Sequence, residues 1–130
     1  MKTLDRTYHI EAAPEIVWQA LTDPAWIEGW GGGPAVMNSL VGTKFSLWGG
    51  EIWGTNTDII VNRKIGQDWY DAELPEPTLL TLTLDRDGHA TNVVLHQENI
   101  PDDRADAIGE GWDTYYMGPL KEYVENLETV

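Results

Sequence analysis

Apolar and polar residues alternate at the start of the chain: Leu4, Arg6, Tyr8 and Ile10 fall on one face, Asp5, Thr7 and His9 on the other. A period of two predicts a first strand. Arg6 interrupts the apolar face, so this end of the strand either frays or reaches an anion. Pro14 then opens a helix to about Leu21, with Val17, Trp18, Ala20 and Leu21 as its buried stripe. Ala13 has no side-chain oxygen to cap it. Thr22-Asp23-Pro24 stops this helix and starts a short second one, with Asp23 capping Ala25, Trp26 and Ile27. Gly29-Trp30-Gly31-Gly32-Gly33-Pro34 follows. It lacks the lysine and the Ser/Thr of a phosphate loop, which leaves a flexible connection or a lip over a cavity with Trp30 as its movable ring.

From Ala35 the period is two again. A weak strand covers Ala35 to Asn38, and Phe45 and Leu47 mark another that Gly49-Gly50 turns back. Glu51 to Ile60 is a long strand with Gly54 inside it, a signal for a bulge or a close backbone approach. Ile65 to Asp71, Thr78 to Asp85 and Thr91 to Glu98 complete the run, the last two joined by an Asp87-Gly88 hairpin turn. At inward parity these strands carry Asn56, Gln67 and Gln97 among apolar neighbours. A buried amide without a partner costs roughly 1–3 kcal/mol, so these three need one another, water or a ligand. A bulge at Gly54 would turn Asn56 outward.

Beyond Pro101-Asp102-Asp103 the period lengthens. Ile108, Trp112, Tyr115, Pro119, Tyr123 and Leu127 recur in steps of three and four, with Tyr116, Leu120 and Val124 beside them. This predicts a long one-sided helix from about Ala105 to Leu127, with Glu110, Asp113, Lys121, Glu122, Glu125 and Glu128 on its polar face. Pro119 lacks an N–H and predicts a bend at mid-helix. Trp112 and Tyr116 are expected to face the sheet through a pocket, with Tyr123 and Leu127 closing the far end. Strand, two short helices, consecutive strands and a long helix make an α+β pattern: a curved antiparallel sheet of about six or seven strands wrapped around the last helix.

Composition narrows the chemistry. The chain has 130 residues, 42% of them apolar and none of them cysteine, so one domain over 1–130 with a real core is expected, and thiolate or disulfide chemistry is excluded. No apolar run approaches the roughly 20 residues of a membrane span and the N-terminus has no signal-peptide core, so the cytoplasm is the expected location. A net charge of −14 repels phosphate, so neither nucleic acid nor an anionic membrane is an expected partner. Seven tryptophans need a core or a pocket wall. Trp18 and Trp112 would lock helices to the sheet, and Trp30, Trp69 and Trp26 would line a wall or mouth. Trp48 and Trp53, at opposite parity, would sit on the outer face as a partner or dimer surface, unless a loop covers them. Asp71, beside Trp69, is either a general base or a solvated strand end. The histidines, His9, His89 and His96, fall at surface positions. Asp102, Asp103 and Asp106 suit a helix N-terminus, and no metal or cofactor motif appears.

Four stretches together carry a resemblance. They are Ala13 to Pro24; Gly42-Thr43-Lys44-Phe45-Ser46-Leu47 with Gly49-Gly50 and Ile52-Trp53-Gly54; Asn99-Ile100-Pro101; and Gly111-Trp112-Asp113-Thr114-Tyr115-Tyr116 with Leu120-Lys121. In this order the chain resembles the helix-grip (START-like, SRPBCC) superfamily, in the branch named after the C-terminal domain of the activator of the 90-kDa heat-shock chaperone's ATPase. The resemblance implies an elongated cavity between sheet and long helix. It leaves open a small, largely hydrophobic ligand, docking to the chaperone, or cyclase/isomerase chemistry with Asp71 as base. The chaperone-activating relatives pair this domain with a separate N-terminal domain that these 130 residues do not include. Ligand contacts are expected from Trp30, Asn56, Gln67, Trp69, Gln97, Trp112 and Tyr116.

Overall fold

The computed structural model describes residues 1–128, and side chains through residue 127, so the expected exposure of Glu128 lies outside the described residues. Strand β1 (Lys2–Ile10) leads into helices α1 (Pro14–Thr22) and α2 (Pro24–Trp30). Five strands follow: β2 (Lys44–Leu47), β3 (Ile52–Ile60), β4 (Lys64–Tyr70), β5 (Thr78–Asp87) and β6 (Ala90–Ile100). The six strands form one antiparallel sheet in the order β1-β6-β5-β4-β3-β2. Ala35 to Asn38, expected as a strand, contributes only a bridge between Val36 and Ser46. The C-terminal helix is α3 (Ala105–Gly111), a π-helical turn (Trp112–Met117) and α4 (Gly118–Glu128) in succession. The architecture is the expected α+β helix grip, a curved sheet closed on its inner face by the last helix and the two short ones.

Alternation survives where strands are central. Leu80, Leu82 and Leu84 of β5 and Val93 and Leu95 of β6 are buried against Leu21 of α1 and Leu120 and Val124 of α4. Burying each such side chain is worth roughly 1.5–3 kcal/mol, so this inner face dominates the stability. Asp23 caps α2 as expected, accepting the Ala25 N–H at 2.9 Å. The irregularity of β3 falls between Asn56 and Asp58, beyond Asn56, which therefore stays inward at 1% exposure. Gly54 marks a close approach, since a Cβ there would stand 1.8 Å from the Asp68 carbonyl oxygen.

The last helix departs from its expected phase. Its buried residues are Gly109, Trp112, Tyr116, Met117, Leu120 and Val124, while Tyr115 is 66% and Leu127 41% exposed. Within the π turn the Gly118 N–H reaches back to the Asp113 carbonyl, an i→i+5 bond that adds a residue to the turn and rotates all that follows. An α-periodic reading cannot see that insertion: it buries Tyr115, whose ring the structure leaves exposed at the cleft rim, and it passes over the buried Met117. The same turn directly precedes Pro119, whose missing N–H and bulky ring an unbroken α-helix would not accommodate.

Candidate functional site

Arg6 does not fray. Its guanidinium lies 3.0 Å from Asp113 Oδ2, and the Tyr8 hydroxyl donates to Asp113 Oδ1 at 2.6 Å. The edge strand is thereby bonded to the π turn, and burial, together with Asp113, pushes the Tyr8 phenol above its usual range. Held this way, the turn presents Trp112 and Tyr116 to the sheet.

Trp112 stacks on Trp69 of β4 with centroids 4.8 Å apart and packs on Tyr116 at 4.6 Å. Two amide networks orient these rings. Gln97 accepts the Trp112 indole N–H at 2.8 Å and donates to Thr78 Oγ1 at 2.8 Å. Gln67 accepts the Trp69 indole N–H and donates to Asn56 Oδ1, both at 2.8 Å, and Asn56 in turn donates to the Asn38 carbonyl. The inward amides therefore bond within the protein and fix the rings in place. Burial also pushes the Tyr116 phenol well above its usual value.

Over these rings opens a cleft of about 590 Å³. Trp69, Gln97 and Thr78 come from the sheet, and Ile108, Gly111, Trp112, Tyr115 and Tyr116 from the last helix; Trp48, Ile52 and Leu74 complete the apolar rim. Asn56 and Gln67 lie behind this lining. So does Trp30, the last residue of α2, which is 5% exposed and donates its indole N–H to the Ala20 carbonyl at 2.8 Å. Trp30 is thus a core ring backing Tyr116 at 4.8 Å rather than a lip. The glycine loop after it is tied down, because Trp48 donates backbone and indole N–H groups to the Gly32 and Gly31 carbonyls.

Trp48 was expected outside the sheet and faces in. Its φ of 49° places it in a left-handed turn after β2, where strand parity no longer applies, and its ring packs on Tyr116 at 6.2 Å. Trp53 does lie on the outer face, 41% exposed and stacked on Tyr70 at 6.0 Å. Trp26, assigned to the mouth, packs instead edge-on against Tyr123 at 5.9 Å. Trp18 is buried under α1.

At the mouth of the cleft stands an arginine that strand parity did not single out. Arg104 Nη2 donates to Asp71 Oδ2 at 3.0 Å, while Asp71 Oδ1 accepts the Glu73 N–H at 2.8 Å. Acting as a base, Asp71 would first have to release both. An arginine at the N-cap of a helix, as Arg104 is for α3, opposes the helix dipole. That mismatch, Arg104 among Asp102, Asp103 and Asp106, was the available signal. No group of three or more His, Asp or Glu among the described residues is arranged to hold a metal ion, and no described helix is long and apolar enough to cross a membrane.

The fold has close counterparts. The solved structure of an HSP90 activator from Plasmodium falciparum superposes with a TM-score of 0.87 at 23% identity, covering 96% of this chain and 97% of that one. The Aha1 dimer from Colwellia psychrerythraea gives a TM-score of 0.82 at 21% identity, over 96% and 97% of the two chains. In sequence, the mouse activator of 90 kDa heat shock protein ATPase homolog 1 is 26% identical over 113 residues, which are 85% of this chain and 33% of the mouse protein. The chain thus spans about a third of the length of that curated relative. The family model for Activator of Hsp90 ATPase homolog 1-like protein matches residues 11–125, and the chain belongs to that family.

Proposed function

We propose that this chain binds a flat, largely apolar small molecule in the cleft between the sheet and the C-terminal helix. The observation that carries this reading is the cleft itself. Its volume of about 590 Å³ sits within the roughly 300–1,000 Å³ usual for small-molecule sites, and its walls are aromatic with few polar groups, as such sites require. Gly111 provides the test. It lines the cleft, its backbone is helical, and a Cβ there would meet nothing within 4 Å. Gly111→Phe should therefore fill the space without strain and raise helix propensity. Saturable, blue-shifted binding of the neutral dye Nile red is expected for the native chain, weakened roughly tenfold or more by Gly111→Phe with no loss of thermal stability. Dye binding indifferent to this substitution would reject the cleft as the site.

A second reading, docking to the 90-kDa heat-shock chaperone, is favoured by the names of the relatives and by Trp53, exposed on the outer face and stacked on Tyr70. Pull-down with that chaperone separates the two. Docking through the outer face should be lost in Trp53→Ser and kept in Gly111→Phe, and no enrichment over a bead control would remove this reading.

A further inference from the structure

The cleft mouth holds one cationic side chain whose hydrogen-bonding capacity is not used. Arg104 gives Nη2 to Asp71, but Nη1 is buried and donates to nothing; Glu73 Oε2 comes only to 3.5 Å of it. An orphaned guanidinium N–H is costly, because the donor has given up its water and gained no acceptor in return. Glu73 is its ion-pair partner at that distance, and the Glu73 side chain is 79% exposed, free to swing into solvent. Arg104 itself lines the cleft, so moving Glu73 aside would leave that donor to a ligand seated there.

We infer that Arg104 Nη1 is the polar anchor of the cleft, and that it selects an uncharged aromatic ligand bearing a hydrogen-bond acceptor such as a ketone or ester carbonyl, in preference to a carboxylic acid. This inference rests on the cleft being a ligand site, and charge decides the acceptor. Glu51, Asp71 and Glu73 line the cleft against Arg104 alone, and the whole chain carries −14. A ligand carboxylate would have to shed its water next to Asp71, whose oxygen already balances the guanidinium at 3.0 Å. A carbonyl takes the same donor without importing a further negative charge.

Three naphthalenes of matched size decide the question by tryptophan quenching and calorimetry: 2-acetylnaphthalene, 2-ethylnaphthalene and 2-naphthoate. The ketone is expected to bind roughly tenfold tighter than the ethyl compound, and 2-naphthoate more weakly than the ketone. Arg104→Met should erase the ketone's advantage while leaving 2-ethylnaphthalene unchanged. Asp71→Asn, which keeps an oxygen for the Glu73 N–H but removes the balancing charge, should raise 2-naphthoate affinity several-fold relative to the ketone. Equal binding of ketone and ethyl compound by the native chain overturns the anchor and leaves the cleft reading standing, and this comparison needs no variant to fold. A preference for 2-naphthoate in the native chain overturns the selection of an uncharged group. Failure of all three naphthalenes and of Nile red to bind removes the cleft reading and the anchor together.

Discussion

His96 on β6 lies opposite Asp5 on β1, with Nδ1 2.6 Å from Asp5 Oδ1 and Glu98 on the other ring nitrogen at 3.5 Å. The hydrogen bond to Asp5, reinforced by both carboxylate charges, raises the imidazole pKa above its ordinary 6.5. His9 moves the same way, first through its bond to Asn92 and then through Glu11. A raised folded pKa means that the native state holds its proton more tightly than the unfolded chain. The contribution is therefore complete below pH 6.5 and fades as pH rises through the raised value. The ring is 42% exposed, so water screens much of the effect and the titration reports it better than global stability does. The His96 ring-proton midpoint, followed by NMR, should lie above 6.5 and drop back towards it in Asp5→Asn. A midpoint that ignores this substitution would show that the cross-strand pair does not form in solution.

At the scale of elements, the π turn is what makes the last helix serve the cleft, and Gly118 is what permits it. A Cβ on Gly118 would stand 2.3 Å from the Asp113 carbonyl oxygen, the very oxygen that accepts its N–H. In an ordinary helix Gly→Ala stabilises by about 1 kcal/mol; here the sign should reverse. Gly118→Ala is expected to destabilise by about 1–3 kcal/mol in urea unfolding and to weaken Nile red binding, because the turn that aims Trp112 and Tyr116 must shift. A stabilised Gly118→Ala would mean that the turn is plain α-helix. The same element shows what the sequence made legible. Central strands announced themselves through Leu80, Leu82, Leu84, Val93 and Leu95, because a period of two holds along a strand paired on both sides. Pro119 flagged trouble in the helix but not its form, since an inserted residue alters phase and leaves composition untouched. Trp48 was misplaced because parity ends where φ turns positive. Arg104 escaped notice because its meaning depends on Asp71 and Glu73, which the fold brings to it from a loop 30 residues earlier in number or more and no local pattern encodes.

For the molecule as a whole, the 22 acidic residues against 8 basic ones set a balance between local pairs and a global field. Arg6–Asp113, Lys64–Asp58, Arg86–Glu15 and Lys121–Glu125 all form within 3.0 Å, on partly exposed side chains. Each is worth only about 0.2–1 kcal/mol and weakens with salt. The surplus of carboxylates repels itself across the surface of the folded chain, and unfolding relieves that repulsion. Salt shortens its range, since the Debye length falls from about 10 Å at 0.1 M to about 3 Å at 1 M. The two effects oppose each other, and the excess decides the sign: few basic groups exist to lose partners, while most acids gain from screening. Melting temperature should therefore climb with sodium chloride by roughly 2–8 °C between low salt and about 0.5 M. Binding of Nile red should stay flat over the same range, because the dye is uncharged and the cleft walls are apolar. A melting temperature that fell with salt would show that the few ion pairs outweigh the field. A salt-dependent dye affinity would show that the carboxylates at the cleft mouth, rather than its rings, govern entry.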